Sequence, residues 1–131
     1  MSIFTKIIAG EIPCYKILEN DNFIAFLDVF PVAKGHVLVV PKIEVDKFYD
    51  LDTSLLAEWL VFSQPIAKAL EKAFTCKRVG MSVIGLEVPH AHLHLVPIQQ
   101  IDDLNFAKPK LQFSETEMKE IQARIVAHLK D

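Results

Sequence analysis

The most informative stretch of this 131-residue chain covers residues 85–97 and reads G-L-E-V-P-H-A-H-L-H-L-V-P. His90, His92 and His94 occupy every second position, so three of the five histidines in the chain fall within five residues. A repeat of two is the repeat of a β-strand, in which alternate side chains share one face at intervals of roughly 6.5–7 Å. In a helix the same three side chains would spread around the axis.

We therefore predict a strand over residues 91–98. Its Ala91, Leu93 and Leu95 side chains are expected to point into a core, while the three histidines share the opposite face. An exposed strand face usually mixes Lys, Glu, Thr and Ser, so three histidines favour a specific use of the imidazoles over plain solvation. A metal site and catalysis are the two such uses.

Composition limits the class of protein. Hydrophobic residues make up 51% of the chain and the mean hydropathy is +0.27, which predicts an apolar surface buried between subunits. The net charge of −3 offers no broad basic face for nucleic acid. Charged residues interrupt every long apolar run, so we expect no membrane span. The N-terminus lacks an uninterrupted apolar signal segment, and Cys14 and Cys76 form no C-x-x-C, so we expect a cytoplasmic protein.

Apolar periodicity and turn residues predict the remaining elements. The Asp52-Thr53-Ser54 run is a helix N-cap, Pro65 is expected to bend the long helix that follows, and Ser114-Glu115-Thr116-Glu117 is a capping box. The predicted elements are a short helix over 2–10, strands over 15–19, 23–28 and 36–40, the long helix, strands over 78–84 and 91–98, a polar loop over 99–112 and a helix over 114–130. This order predicts one α+β domain over 1–131, with helices packed on an antiparallel sheet.

A metal ion is one candidate occupant of the histidine face. Alternate histidines on a strand can converge on one ion, but zinc requires a third or fourth nitrogen or sulfur ligand. His36 could add a nitrogen, although it begins its own buried strand, and Cys14 and Cys76 lie far apart in unrelated contexts. Residues 90–96 contain no Asp or Glu. The sequence shows no complete ligand set, and we predict neither a metal nor another cofactor.

Catalysis explains the pattern better. Neutral imidazole is a nucleophile near pH 7, because its unperturbed pKa is about 6.5. Attack on phosphorus would give a phosphorylated imidazole that water or an amine can then cleave. A second imidazole on the same face can bind the phosphate, since phosphoryl transfer depends on positioning and charge stabilisation. A rigid strand that holds three imidazoles supplies both functions.

The H-A-H-L-H-L-V motif at 90–96 resembles the signature of the histidine triad (HIT) family, in which three histidines alternate with apolar residues. Three further blocks are similar to the family and occur in the same order: I-F-T-K-I-I-A-G-E-I-P at 3–13, F-I-A-F-L-D at 23–28 and K-G-H-V-L-V-V-P-K at 34–42. These blocks end near residue 98 and look most like the Hint-like branch of nucleotide phosphoramidases and hydrolases. The helix over 114–130 lies beyond them. The resemblance implies a HIT fold in which the five-stranded sheets of two subunits join in a homodimer.

The resemblance also implies a role for each matched residue. His92 would be the nucleophile that attacks the α-phosphate, and His94 would contact the phosphate and the leaving group. His90 and His36 would surround His92 and set its tautomer, and Asp28 would receive the ribose hydroxyls. The base pocket would be lined by Ile3, Phe4, Ile7, Phe26 and Val29. From the residues alone, Phe4, Ile7 and Phe26 are more often plain core, with base contact an addition to that role, and Asp28 fits a turn cap equally well.

Three departures from the family pattern concern the zinc and phosphate sites. Many bacterial members carry a C-x-x-C that helps to hold zinc, and here Ser2 and Thr5 take those positions. Many members carry Gly-Gln-Ser/Thr before the triad, and here Gly85, Leu86 and Glu87 stand there. The Asn-containing glycine-rich loop is replaced by V-G-M-S-V-I at 79–84. We therefore add Glu87 to the candidate site, as a carboxylate on the leaving-group side.

The resemblance implies an enzyme that binds a purine nucleotide or nucleotide conjugate. It would cleave a phosphoramidate or phosphoanhydride at the α-phosphate through a histidine-nucleotidyl intermediate. Two alternatives from other classes are a nucleotide-binding module with little turnover and a metal-binding protein. The sequence itself leaves the leaving group and the base preference open.

Overall fold

A computed structural model describes residues 1–130 of the chain as a five-stranded antiparallel sheet with helices on both faces. The strands follow the spatial order β1-β2-β3-β5-β4. The elements in chain order are α1 (Ile3–Ile8), β1 (Lys16–Glu19), β2 (Phe23–Leu27), β3 (Val37–Pro41), α2 (Thr53–Ala73), β4 (Arg78–Ser82), β5 (Leu93–Ile98) and α3 (Glu115–His128). The predicted α+β class and antiparallel sheet are confirmed. None of the helices described is long and apolar enough to cross a membrane.

The central strands β2 and β3 are buried on both faces along their whole length. Such strands read as continuous apolar runs, as F-I-A-F-L and V-L-V-V-P do here. β3 pairs with β5 in a register that places Val37 opposite Leu95 and Leu38 opposite His94. This register fixes which side of the sheet the histidines occupy.

One face of the sheet packs against α2 and α3 and forms the main core. The α2 helix begins at its N-cap Asp52, whose side chain accepts a hydrogen bond from the Ser54 backbone N–H. Trp59 is buried, and its indole Nε1–H donates to the carbonyl oxygen of Val39 at 3.1 Å. The predicted inward face of β5 is confirmed, because Ala91, Leu93 and Leu95 all belong to this core.

The C-terminal helix α3 begins with the predicted capping box. The Ser114 hydroxyl accepts from the Glu117 backbone N–H at 3.1 Å, and the Glu117 carboxylate accepts from the Ser114 N–H at 2.9 Å. Met118, Ile121 and Ile125 are buried on one side of the helix. They join the main core, so this helix is an integral part of the domain.

A smaller apolar cluster occupies the opposite face of the sheet. It contains Phe4 of α1 together with Ile24, Phe26, Leu38 and Val40 of the two central strands. Of the four isoleucine and phenylalanine side chains of α1, only Phe4 is buried, while Ile3 is 49% exposed. This thinner layer leaves room for a cavity beside the histidines.

Several boundaries differ from the predicted ones. β5 begins at Leu93, two residues later than predicted, because the chain before it turns: the His90 N–H donates to Val88 and the Ala91 N–H donates to Val45 instead of to a neighbouring strand. β4 ends at Ser82 instead of residue 84. The helix α2 continues through Pro65 as one element, so the expected bend there does not interrupt it. Short 3-10 turns at Phe48–Asp50 and Ile101–Leu104 were not predicted.

Gly35 places the first catalytic candidate, His36. Its φ of +92° lies in the left-handed region that side chains other than glycine rarely adopt. A Cβ added there would lie 2.7 Å from a ring carbon of Phe74 at the end of α2. Backbone conformation and packing both require glycine at this turn into β3.

Candidate active site

A cavity of about 570 Å³ opens on the histidine face of the sheet. Its floor includes His36, His92 and His94, and its walls come from α1, the end of β2 with the following loop, and the segment over 84–88. The other predicted site residues in its lining are Ile3, Phe4, Ile7, Phe26, Asp28, Val29 and Glu87. His90 alone among the predicted residues is absent from the lining that the described residues form. Their roles remain predictions, but ten of the eleven predicted site residues line this one cavity, although they are as far apart in the sequence as Ile3 and His94.

The four histidines are buried rather than solvated. His36, His90, His92 and His94 are 2%, 0%, 7% and 8% exposed, respectively. The interpretation of the histidines as polar residues on a solvent-exposed strand face is therefore wrong. Buried imidazoles need hydrogen-bond partners, and those partners determine which ring nitrogen carries the proton.

His92 has a defined tautomer. Its Nδ1 lies 2.7 Å from the backbone carbonyl oxygen of His90, and a carbonyl oxygen only accepts, so Nδ1 carries the proton. The lone pair of the neutral ring is then on Nε2. Every buried side-chain nitrogen and oxygen among the described residues has a partner, and the hydrogen bond of His92 is at Nδ1, so Nε2 opens onto the cavity. The Phe4 ring packs against the imidazole edge-on at 5.0 Å and restricts its rotation.

His36 and His94 form a second chain of hydrogen bonds. The Val32 backbone N–H donates to Nδ1 of His36 at 3.1 Å, so the proton of His36 is on Nε2. That Nε2–H donates to Nδ1 of His94 at 2.9 Å, which leaves the His94 proton on its own Nε2. His94 therefore presents an N–H donor at the cavity. His36 was expected to set the tautomer of His92, but its hydrogen bond is to His94 instead.

The first histidine of the triad acts through its backbone and is anchored by its side chain. His90 Nε2 lies 2.8 Å from the carbonyl oxygen of Pro41, so it donates, and Nδ1 accepts from the Ser2 hydroxyl at 2.7 Å. Glu44 accepts from the Ser2 N–H and from the Thr5 hydroxyl, both at 2.6 Å. Ser2 thus holds His90 directly, while Thr5 and Glu44 hold Ser2 in place.

Burial favours the neutral form of His36, His90 and His94. Desolvation lowers the pKa of His36 to about 3 and that of His94 to about 4, and the charges of neighbouring groups, including Lys110, lower both further. Desolvation also lowers the pKa of His90, partly offset by its hydrogen bond to Pro41. At neutral pH His36 and His94 are therefore uncharged, and His94 presents a neutral N–H donor to the cavity.

Asp28 lies at the end of β2, at the rim of the cavity. One carboxylate oxygen accepts from the Phe30 backbone N–H at 2.8 Å, and the other lies 3.6 Å from Nε2 of His36. That contact is not an ion pair at neutral pH, because His36 is uncharged. Desolvation raises the pKa of the Asp28 carboxyl above its ordinary value, while the Phe30 N–H and Lys110 oppose the rise.

Phe106 and Lys110 are among the residues of the cavity wall that the sequence did not predict. The Phe106 ring lies 4.5 Å from the ring of His94 and 5.8 Å from that of His36, centroid to centroid. Both residues come from the polar loop after β5. An aromatic residue in such a loop was the available signal, but loops have no periodicity from which to place it.

Asp28, His36 and His94 also meet the geometric requirement of a metal site, since they offer ligand atoms within 4.8 Å of one another. The hydrogen bond between His36 and His94 uses both facing nitrogens. A metal ion would have to break it and displace the proton. The residues already satisfy one another without an ion.

An antiparallel sheet that presents alternating histidines to a small apolar cavity defines a class, the histidine triad fold. The sequence matches the HIT domain model over residues 9–101. The chain is 31% identical over 130 residues to the adenosine 5'-monophosphoramidase of Schizosaccharomyces pombe, and the alignment covers 98% of each. This protein belongs to the HIT family.

Solved structures agree with that assignment. A HIT-like protein from Bartonella henselae, involved in cell-cycle regulation, has a TM-score of 0.85 and 31% identity, and the match covers 97% of this chain and 95% of that one. A zinc-bound histidine triad protein from Mycobacterium smegmatis has a TM-score of 0.83 and 27% identity, covering 98% of this chain and 92% of that one. Both matches extend past residue 101 and include the C-terminal helix.

Proposed function

We propose that this protein is a nucleotide hydrolase that cleaves a phosphoramidate at the α-phosphate through a covalent intermediate on His92. The observation that carries the proposal is the tautomer of His92, whose Nε2 lone pair opens onto the cavity while Nδ1–H is held by the His90 carbonyl. A hydrolase that acts on adenosine 5'-monophosphoramidate is named among the relatives that share most of this chain's length.

The reaction has two displacements. Nε2 of His92 attacks phosphorus, the P–N bond to the leaving amine breaks, and the amine nitrogen takes up a proton from solvent. Water then attacks the phosphorus, the bond to His92 breaks with its electron pair returning to Nε2, one water proton passes to solvent, and the nucleotide leaves with the water oxygen. The His94 N–H donates to a phosphate oxygen in both steps, where it stabilises the charge that develops there.

The remaining walls bind the nucleoside. Phe4, Phe26 and their aliphatic neighbours form an apolar slot of the kind that accepts a purine ring. In this proposal Asp28 accepts hydrogen bonds from the ribose hydroxyls, and its position in the cavity lining supports that role. Because these groups bind the nucleoside and His92 supplies the lone pair, binding and chemistry are expected to respond to different substitutions, except at Phe4, which also packs on His92.

A nucleotide-binding module with little turnover is the main alternative, since Leu86 and Glu87 replace the polar residues that many relatives carry before the triad. A panel of adenosine phosphoramidates and dinucleoside polyphosphates separates the two. We expect AMP release from at least one amine conjugate with multiple turnovers. Tight binding of AMP with no release from any conjugate would establish the module instead.

A metal-binding protein is the second alternative, favoured by the close approach of Asp28, His36 and His94. We predict less than about 0.1 zinc per chain after dialysis, because His36 and His94 satisfy each other and the hydroxyls of Ser2 and Thr5 replace thiolates. Elemental analysis that finds about one zinc per chain would favour the metal alternative.

A further inference from the structure

The segment over 106–111 closes one side of the cavity although it lies outside the region that matches the family model, which ends at residue 101. The Leu111 N–H donates to the carbonyl oxygen of Pro31 at 2.8 Å, which ties the segment to the loop that follows Asp28. The Phe106 ring packs on His94 from the same side. The segment is therefore fixed at two points on either side of Lys110 and its neighbours.

Lys110 is held in this segment by its own local contacts. Its Nζ donates to the backbone carbonyl oxygen of Phe106 and lies 5.8 Å from the centre of the Phe106 ring. These contacts use part of the hydrogen-bonding capacity of the ammonium group and hold it beside Phe106, whose ring packs on His94. An ammonium group has three donors, so donors remain for a ligand.

The charge balance of the cavity gives Lys110 a specific importance. Among the described residues that line the cavity, Asp28 and Glu87 are carboxylates, and Lys110 is the one lysine or arginine. Two of the three histidines in the lining, His36 and His94, strongly favour the neutral form. A phosphate with one or two negative charges would meet two carboxylates in this cavity. Lys110 is the group that offsets them.

We propose that Lys110 binds the phosphate of the substrate and makes the site selective for a 5'-phosphorylated nucleoside over the nucleoside alone. This inference rests on the proposed function and adds to it a specificity-determining residue from the C-terminal segment. The Lys110 ammonium binds a non-bridging phosphate oxygen, while His94 donates to another. Phe106 holds the segment against His94 and so positions the ammonium group.

The test is equilibrium binding of AMP and of adenosine, measured by calorimetry on folded protein. Neither ligand has a bond for the enzyme to cleave, so the result does not depend on turnover. Lys110→Met should weaken AMP binding about tenfold and leave adenosine binding unchanged. Tenfold is the lower end of the loss expected for a charge-assisted hydrogen bond, because Lys110 is exposed. Lys110→Arg should restore most of the AMP affinity.

Lys108→Met is the matched control. It removes a lysine two residues away whose Nζ pairs with Asp102 at 3.0 Å and which is not part of the cavity lining among the described residues. The control should bind both ligands as wild type does. The inference is overturned if Lys110→Met leaves the ratio of AMP affinity to adenosine affinity unchanged. This includes equal weakening of both ligands, which would assign Lys110 to the cavity wall alone.

Failure of the proposed function gives a different result. A protein that binds AMP with the predicted Lys110 dependence but releases no product would keep this inference and refute the hydrolase. A wild-type protein that binds neither AMP nor adenosine would refute nucleotide binding and this inference together.

Discussion

At the scale of single residues, one backbone amide determines the protonation of two side chains. The Val32 N–H occupies Nδ1 of His36, which forces the His36 proton onto Nε2 and so the His94 proton towards the cavity. No property of the sequence around Val32 announces this contact, because it depends on how the loop before β3 folds. The period of the triad predicted which residues share a face, whereas their tautomers depend on hydrogen bonds that only the folded structure shows.

The buried histidines predict how stability depends on pH. The folded-state pKa of His94 is about 4, below the unfolded value of about 6.5, so the unfolded chain binds the proton more tightly and stability falls as pH decreases from about 6.5 to about 4. Between pH 7 and pH 5 this group alone should remove about 2 kcal/mol from the free energy of unfolding. Urea unfolding at both pH values measures the loss.

His94→Asn is the matched control for that experiment, because Asn accepts a hydrogen bond from His36 but does not titrate. The variant should lose about 2 kcal/mol less than wild type over the same interval. An equal loss in both proteins would show that His94 does not contribute to the pH dependence.

Glu87 supplies a prediction about the leaving group. It lines the cavity, and its charge raises the pKa of Asp28, so it lies near enough to influence a bound ligand. A carboxylate there disfavours an anionic leaving group and favours a cationic amine. Two unit charges about 5 Å apart interact by roughly 3 kcal/mol at an effective dielectric of about 20, but Glu87 is exposed, so about 1 kcal/mol is the better expectation.

The measurement is kcat/KM for an amine phosphoramidate and for a dinucleoside polyphosphate. Glu87→Ser should shift the ratio about fivefold towards the polyphosphate, since about 1 kcal/mol corresponds to that factor. Glu11→Ser, which removes an exposed carboxylate outside the cavity lining, should leave the ratio unchanged. A ratio that does not move in Glu87→Ser excludes Glu87 from leaving-group selection.

At the scale of elements, the sequence predicted all five strands and all three helices, since period, caps and apolar runs are local properties. It failed where a distant contact decides the outcome. β5 begins late because Ala91 bonds to Val45 in place of a strand partner, and the polar loop after β5 reaches the cavity because Leu111 bonds to Pro31. Both contacts join residues that are far apart in the chain, so no local pattern contains them.

The turn before β3 gives a prediction at this scale. Gly35→Ala should destabilise the protein by about 2–4 kcal/mol, because it combines left-handed backbone strain with a Cβ placed 2.7 Å from Phe74. Gly10→Ala is the control, with a φ of +81° and no atom within 4 Å of the new Cβ, and should cost only the strain of about 1–2 kcal/mol. Equal losses in chemical denaturation would show that the Phe74 contact relaxes freely.

At the scale of the whole molecule, the surface of α2 and the edge strand β4 bear on assembly. Trp59 and Phe62 of α2 are buried in the core, so they leave no surface for a partner. Leu60 and Val61 of α2 are 53% and 67% exposed, and β4 is a sheet edge. Exposed apolar side chains beside an unpaired edge still favour an interface.

We therefore predict a twofold dimer formed by α2 and β4. Sedimentation at micromolar concentration should give about twice the mass of the chain, and a double substitution of Leu60 and Val61 to lysine should give the single mass. Ile43→Lys, at a similarly exposed apolar residue outside α2 and β4, should remain dimeric. A wild-type protein that sediments as a monomer would contradict the prediction.

The central claim is that His92 carries the nucleotide during the reaction, and intact-mass analysis of enzyme quenched during turnover of an adenosine phosphoramidate tests it most directly. Wild type should show a mass increase of one adenylyl group located on His92. His92→Asn should show none and lose at least about a thousandfold in kcat, while it binds AMP within about threefold of wild type. Turnover of His92→Asn at the wild-type rate, or an adenylyl group on another residue, would contradict the account.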